Sequence, residues 1–364
     1  MNRFERAALS AGFVWAALGT TACEDPIIIV GDLPGIMQRV AGIPNSLGAD
    51  TDTIARNTQL NSPRGLALAQ DGTLYIADTG NGRIVAVRPT GHATVLTSEE
   101  SCEEVCLVAP HGVAVAPDGS VWIADPVAHR VFRLDPETRV LEVRAGTGVA
   151  GNSPDNTPAL EAMLNAPAGI AVTTTGVVYF TERDGHKVRW ISNQSGLRTI
   201  AGTGEAGYAE GSPATLARLN GPTGLALSGS LLYVADEQNN RVREINISGG
   251  GIRNIAGNGV AAYAETDTVA LTAKLNKPRA LALTADRAQL FIADASNDRV
   301  RVVSLATGRI STFAGTGDAV FTDEGLDAVD TSIDAPSGLA IHPQGVLFVS
   351  DTGHQIVWRT PLRF

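Results

Sequence analysis

Six copies of one sequence pattern predict an all-β fold, a six-bladed β-propeller made of four-stranded antiparallel blades. Each copy has a Pro-x-Gly step (Ala replaces Gly once), a short apolar strand, a turn and a second strand that ends on a carboxylate. The prolines recur every 47 to 58 residues, a period expected for one sheet per repeat rather than for a helical solenoid. They are Pro63, Pro110, Pro167, Pro222, Pro278 and Pro336.

A charged pair accompanies the end of the second strand. The carboxylates are Asp78, Asp125, Glu182, Asp236, Asp294 and Asp351. Five copies carry a cation five residues later, at Arg83, Arg130, Lys187, Arg241 and Arg299, whereas the last copy has Ile356. We expect carboxylate and cation to pair across the turn between the second and third strands. The repetition favours a structural role over catalysis, because a repeated turn must satisfy its polar groups in every copy.

The fourth strand of four copies ends in an Ala-Gly-x-Gly phrase that begins at Ala145, Ala201, Ala256 and Ala314. The last repeat stops at Phe364 without a fourth strand, and a similar Ala-Gly phrase occurs near the N-terminus, at 39–42. We therefore expect this N-terminal strand to join the C-terminal blade. Such closure removes the exposed strand edges that an open array would leave.

These phrases resemble the NHL-repeat family, whose copies carry Pro-x-Gly-[IV]-Ala, a strand ending in Asp and then Asn-x-Arg, as in residues 78–84. The resemblance covers residues 36–364 and implies the propeller fold. It does not imply one function, because NHL-type and related six-bladed propellers include protein-interaction modules, nucleic-acid binders, lyases and lactonases.

The N-terminal sequence predicts export. Residues 1–22 resemble a signal peptide, with Arg3 and Arg6 ahead of an apolar stretch that is too short for a permanent membrane span. Small residues before Cys23 resemble a bacterial lipobox, although Thr20 stands where Leu is usual. We expect lipidation of Cys23, a tether over 23–35 and anchoring in the bacterial cell envelope, periplasmic or surface-facing. Ordinary cleavage nearby and an unprocessed leader are the alternatives.

The formal charge of -10 opposes binding to phosphate backbones, so we do not expect a nucleic-acid partner. The remaining cysteines, Cys102 and Cys106, are predicted to form a disulfide in an exported protein. A metal site there is disfavoured, since the neighbouring side chains offer only carboxylates beside the two thiols.

The variable residue of each Pro-x-Gly step should lie at the mouth of the central channel, on the face that carries the long connections between blades. Candidate ligand-binding residues are therefore Arg64, His111, Thr223, Arg279 and Ser337, with Ala168 in the remaining step. Two arginines and a histidine there would suit an anion. The alternative is that these residues only support the loops.

Histidines provide the test of an enzymatic function. Amidating-lyase relatives hold zinc through histidines of Pro-His steps, and only His111 matches such a step. His129, His186 and His354 fall in the turns between second and third strands, where turn or surface roles are expected. Lactonase-type propellers hold a divalent cation in the channel through Glu, Asn and Asp, which no motif of this chain locates. No catalytic residue, cofactor or metal ligand is assigned, and a cation in the channel remains open.

The sequence thus favours an exported binding scaffold that recognises a protein, peptide or glycan through its loop-bearing face. The rival interpretation is a metal-assisted lyase or a lactonase-type hydrolase that acts at the channel mouth.

Overall fold

The computed structural model describes residues 35–48, 54–97, 105–192, 195–263 and 268–362. Within these ranges the strands form six antiparallel sheets around a central channel, and the inner strand of each sheet contacts the inner strands of its two neighbours. The predicted fold class, a six-bladed β-propeller, is confirmed.

Blades 1 to 5 each run from the innermost to the outermost strand in chain order. Blade 1 contains β2 (Pro63–Leu68), β3 (Leu74–Asp78), β4 (Arg83–Val87) and β5 (Ala93–Val95). Blade 2 contains β6 (Gly112–Val115), β7 (Val121–Asp125), β8 (Arg130–Leu134) and β9 (Leu141–Ala145). Blade 3 contains β10 (Pro167–Val172), β11 (Val178–Glu182), β12 (Lys187–Ser192) and β13 (Ser195–Ala201).

Blade 4 contains β14 (Pro222–Ser228), β15 (Leu231–Asp236), β16 (Arg241–Asn246) and β17 (Ile252–Ala256). Blade 5 contains β19 (Pro278–Leu283), β20 (Gln289–Asp294), β21 (Arg299–Ser304) and β22 (Arg309–Ala314). A further strand of two residues, β18 (Thr268–Val269), pairs outside β22 and was not predicted. Short 3-10 helices lie in the blade connections, at Ala55–Asn57, Ala159–Glu161, Ala214–Leu216, Ala270–Thr272 and Ala328–Asp330.

Blade 6 closes the ring with strands from both ends of the described chain. It contains β23 (Pro336–His342), β24 (Val346–Asp351), β25 (Ile356–Pro361) and β1 (Gln38–Ala41). Antiparallel pairing places Arg39 opposite Trp358 and Ala41 opposite Val357. The predicted closure by the N-terminal strand is confirmed.

The glycine of the Pro-x-Gly step allows neighbouring blades to approach. A Cβ on Gly65 would lie 2.2 Å from the carbonyl oxygen of His111, and one on Gly112 would lie 2.2 Å from that of Ala168. Real Cβ atoms do not approach backbone this closely, so glycine is needed where the inner strands meet. Ala280, which replaces glycine in blade 5, packs in the apolar cluster between blades 5 and 6.

The six strand-end carboxylates are fully buried and hold the chain where it enters each blade. Each accepts a hydrogen bond from a backbone N–H located 16 to 18 residues upstream. Asn61 donates to Asp78 and Asn220 donates to Asp236, both over 2.7 Å. The predicted structural role of the carboxylates is therefore correct.

The predicted cation partner is wrong in four of the five copies. Only Arg83 reaches its carboxylate, with Nε 2.7 Å from Asp78 Oδ2. Arg130, Arg241 and Arg299 instead bind the loop that follows their blade, through the carbonyls of Thr147, Asn258 and Thr316. Lys187 binds the Asn152 side chain, in the loop that precedes its blade.

The residue seven positions after the carboxylate explains this difference. It lies on the same strand face as the residue at five positions, and in blades 3, 4 and 5 it is a buried arginine. The ion pairs are Arg189–Glu182 at 2.9 Å, Arg243–Asp236 at 3.2 Å and Arg301–Asp294 at 3.6 Å. In blade 1 this position is Val85, which leaves Asp78 to Arg83, and in blade 6 the indole Nε1 of Trp358 donates to Asp351 over 2.8 Å.

An aromatic side chain of the blade connection covers both cations in two blades. The Tyr208 ring lies 3.9 Å from the guanidinium of Arg241 and 4.7 Å from that of Arg243. Tyr263 covers the equivalent pair of blade 5, Arg299 and Arg301. Cation–π contacts of this kind fix the connection against its blade.

A second set of side chains links successive blades. In five turns between second and third strands, the left-handed residue accepts a hydrogen bond from the N–H of the residue before the next blade's proline. His129 Nδ1 accepts from Ala166 and His186 Nδ1 accepts from Gly221, both over 3.2 Å. Asn240, Asp298 and Gln355 do the same in the other turns. His129 and His186 are thus turn residues, as predicted.

Several predicted features lie outside the described residues. These are the signal peptide over 1–22, Cys23, the tether apart from Gly35, and Cys102. Cys106 is disulfide-bonded. Because Cys102 lies outside the described residues, the pairing of Cys106 with Cys102 stays a prediction. Among the helices that the structure describes, none has the length and apolar character needed to cross a membrane.

We predict that Arg243→Ala lowers the free energy of unfolding by about 3–5 kcal/mol, because it leaves the buried Asp236 carboxylate without its cation. Arg218→Ala is the matched control, since both side chains of its ion pair with Glu205 are exposed and the pair should contribute about 0–1 kcal/mol. Urea denaturation of both variants measures the difference. Equal losses of unfolding free energy in the two variants would mean that the buried ion pair does not stabilise blade 4 more than a surface pair does.

Candidate functional site

A cavity of about 200 Å³ opens at the mouth of the central channel. All six variable residues of the Pro-x-Gly steps line it: Arg64, His111, Ala168, Thr223, Arg279 and Ser337. They lie at the starts of the inner strands, so the predicted convergence of these residues is confirmed. Their part in binding a ligand stays a prediction.

The cavity wall is layered because every blade contributes the same three positions. Polar and charged side chains surround the mouth, the glycines of the Pro-x-Gly steps follow, and an aliphatic collar lies beyond them. The collar consists of Leu66, Val113, Ile170, Leu225, Leu281 and Leu339, all buried except for the surface that faces the cavity.

Sequence reasoning missed two charged residues of the mouth, Arg183 and Glu237. Each directly follows the buried carboxylate of its blade, Glu182 or Asp236. The repeat pattern could have identified both residues, because the residue directly after the second strand lies on the same face of the propeller as the Pro-x-Gly step.

Two of the three arginines at the mouth have protein partners. Arg279 donates from Nη1 to Ser337 Oγ over 3.2 Å and from Nε to Glu237 over 3.4 Å. Arg183 donates from Nε to Asp184 over 2.9 Å. Arg64 differs, because its buried Nε has no hydrogen-bond partner within the described residues. Its guanidinium is therefore the group most available to a ligand.

Positive charge dominates the mouth. Burial, followed by repulsion from Arg279, lowers the pKa of Arg64 to about 10, so the guanidinium remains charged at neutral pH. Burial and the neighbouring arginines lower the pKa of His111 to about 2, which keeps its imidazole neutral. Three guanidinium groups and one carboxylate, Glu237, thus surround a small cavity in a protein of net charge -10. Such a site attracts anions.

The mouth offers a poor set of ligands for a divalent cation. Mg²⁺ and Ca²⁺ need several oxygen donors, and zinc sites use several imidazoles or thiolates. The mouth provides one imidazole, His111, and one carboxylate, Glu237, among three arginines. Across the described ranges, no three His, Cys, Asp or Glu side chains group as metal ligands.

Residues 60–86 and 107–134, in blades 1 and 2, match the family model described as NHL repeat. The chain carries NHL repeats. Among curated relatives of this NHL propeller, mouse Teneurin-1 is 30% identical over 348 residues, covering 82% of this chain and 12% of that protein. Protein SUPPRESSOR OF QUENCHING 1 of Arabidopsis thaliana is 26% identical over 240 residues, covering 63% of this chain and 22% of that protein. The NHL propeller thus spans less than a quarter of the length of either relative.

Solved structures share the fold. A Bacteroides thetaiotaomicron protein of unknown function matches with a TM-score of 0.71 at 14% identity, over 90% of this chain and 75% of that one. An auxiliary nutrient binding protein of the same organism matches with a TM-score of 0.67 at 12% identity, over 89% of this chain and 75% of that one. Identities this low establish the fold alone.

His354 has a role that its position in the repeat explains. The residue three positions after the carboxylate is an asparagine in blades 1, 4 and 5, namely Asn81, Asn239 and Asn297. Each amide donates once to the carboxylate and once to a carbonyl of the blade connection. In the NHL propeller's sixth blade, His354 replaces this amide, with Nδ1 2.8 Å from Asp351 and Nε2 3.0 Å from the Ala319 carbonyl.

Both neighbours of the His354 ring are acceptors, so both bonds form only when the ring is protonated on both nitrogens. Burial lowers the pKa of His354, but the hydrogen bond to Asp351, the charge of Asp351 and the Ala319 carbonyl together raise it above its ordinary value. The sixth blade connection of the NHL propeller is therefore held by a group that titrates.

We predict that His354→Asn removes a pH-dependent part of the stability. The folded-state pKa of His354 exceeds its unfolded value of about 6.5, so its stabilisation is complete below about pH 6.5 and is lost as pH rises through the folded pKa. An asparagine donates both hydrogen bonds at every pH. Melting temperatures between pH 5.5 and 8.5 should therefore fall more steeply for the wild type than for the variant.

The control for this measurement is His92→Asn, because His92 is exposed. This variant should keep the wild-type dependence on pH. A constant difference between wild type and His354→Asn across the range would show that His354 contributes packing alone, for example against Phe321.

Proposed function

We propose that this NHL propeller is a binding scaffold that recognises a protein, peptide or glycan through the face that carries its blade connections. One observation carries the proposal: the channel mouth concentrates three guanidinium groups, with Arg64 unpartnered among the described residues, in a protein of net charge -10. A buried donor without a partner costs free energy in the unbound protein, and a ligand that accepts its hydrogen bond recovers it.

The structural neighbour described as an auxiliary nutrient binding protein supports a binding role on this fold. The rival proposal, a metal-assisted lyase or lactonase-type hydrolase, depends on a cation that the donors at the mouth do not favour. Metal analysis of the purified protein separates the two. Stoichiometric zinc or calcium bound in the channel would favour the enzyme.

We predict that Arg64→Ala weakens binding of a partner captured by the wild-type protein by about 10- to 100-fold, because it removes charge-assisted hydrogen bonds. The melting temperature should change little, since no protein hydrogen bond of the Arg64 side chain is lost among the described residues. Arg279→Ala should weaken binding too, but it should also lower the melting temperature, because Glu237 and Ser337 lose a partner.

Arg198→Ala is the matched control for charge, because Arg198 is exposed on β13, the outermost strand of blade 3. Titration of the captured partner by calorimetry gives the affinities. If Arg64→Ala and Arg198→Ala bind the partner equally well, the recognition site lies away from the channel mouth.

We also propose that the protein is exported and lipidated at Cys23, which would anchor it in the cell envelope with the propeller beyond the membrane surface. The apolar stretch of the leader and the small residues before Cys23 support this proposal. We predict that Cys23→Ser moves the protein from the membrane fraction to the soluble fraction, because an acidic surface is repelled by anionic lipids. Fractionation followed by immunoblotting measures the shift, and unchanged membrane association would rule out this anchor.

A further inference from the structure

We propose that the channel mouth binds the carboxylate end of an aliphatic ligand, with the carboxylate at the arginines and the aliphatic group against the collar. This inference rests on the proposed binding function and names the ligand chemistry. The collar comprises the six aliphatic residues that line the cavity beyond the Pro-x-Gly glycines.

Arg64 is the anchor for the carboxylate. Its Nε is buried and unpartnered within the described residues, whereas hydrogen bonds to Glu237 and Ser337 hold Arg279 in place. A guanidinium presents parallel N–H groups that match the two oxygens of a carboxylate. The neutral imidazole of His111, on the neighbouring blade, adds a hydrogen-bonding group without further charge.

Glu237 limits the charge that the mouth accepts. Its side chain lies at the mouth with 9% of its surface exposed and pairs with Arg279. Arg279 pairs with Glu237 and Arg183 pairs with Asp184, whereas Arg64 has no carboxylate partner among the described residues. A single carboxylate balances the charge of Arg64, whereas a dianion such as phosphate would bring one excess negative charge beside the buried Glu237, so the arrangement favours a monoanion.

The size and the lining of the cavity specify the remainder of the ligand. A volume of about 200 Å³ is below the roughly 300–1,000 Å³ of pockets that enclose drug-sized molecules, so the site takes a small molecule or one end of a larger one. Leucine, isoleucine and valine side chains form the collar. Burying a short aliphatic group against them is favourable, whereas a sugar hydroxyl would lose its hydrogen bonds to water there.

Calorimetric titration of the full-length protein with acetate, butanoate, hexanoate and inorganic phosphate tests this proposal. We expect affinity to rise by about two- to fourfold for each added methylene until the collar is filled, and phosphate to bind more weakly than hexanoate. Phosphate binding as tight as hexanoate binding, or affinity independent of chain length, would overturn the proposal.

A second arm distinguishes the source of the carboxylate. A peptide that ends in leucine carboxylate is compared with the same peptide ending in an amide and with free hexanoate. Tighter binding of the peptide acid than of both others assigns the site to a peptide C-terminus, and tighter binding of hexanoate assigns it to a free acid. Equal binding of the acid and amide peptides would overturn the role of the carboxylate.

Two variants connect the result to the site. Arg64→Ala should reduce hexanoate affinity by about 10- to 100-fold, and Arg64→Lys should restore only part of it, because lysine keeps the charge and loses the planar fork. Arg198→Ala should bind hexanoate as the wild type does. If no carboxylate binds while a captured partner still binds the wild type, the ligand chemistry inferred here is wrong and the binding scaffold stands.

Discussion

The buried carboxylate at the end of each second strand is the interaction on which the propeller depends. It lies at the inner end of a turn, receives a backbone N–H from the chain that leads into the same blade, and in most blades also receives a buried cation or an indole N–H. Leaving such a charge in the interior without these donors would cost several kcal/mol. One carboxylate therefore fixes the connection, the turn and the third strand of its blade together.

Two other devices turn six such units into a ring. The left-handed turn residues reach from one blade to the residue before the next proline, and the glycines let the inner strands touch. Because every blade uses the same devices, every Pro-x-Gly residue is brought to the same depth on the same face. The convergence of the candidate site is thus a consequence of the repeat, and only the identity of the converging side chains differs.

This division of roles explains how an acidic protein holds a positively charged cavity. The framework positions are occupied by residues that satisfy each other's hydrogen bonds, whereas the positions at the mouth carry different residues in different blades. Arg64, Arg183 and Arg279 occupy three of them, and burial together with repulsion from neighbouring arginines lowers the pKa of Arg64 and of His111. The anion that we propose as ligand would relieve that repulsion. The positive groups already lie at the mouth in the unbound protein, so binding does not require them to be brought together.

The repeat by itself determined the number of blades, the closure by residues near Arg39 and the meeting of Arg64, His111 and Arg279, because each follows from counting copies of one pattern. The repeat pattern did not determine which cation pairs with each buried carboxylate. The residues five and seven positions after the carboxylate lie on the same strand face. Only the tertiary packing determines that Arg243 pairs with Asp236, whereas Arg241 binds the loop. Likewise Arg183 and Glu237 joined the site, and Arg64 was left unpartnered within the described chain, because contacts between blades are set by three-dimensional distance and not by spacing along the sequence.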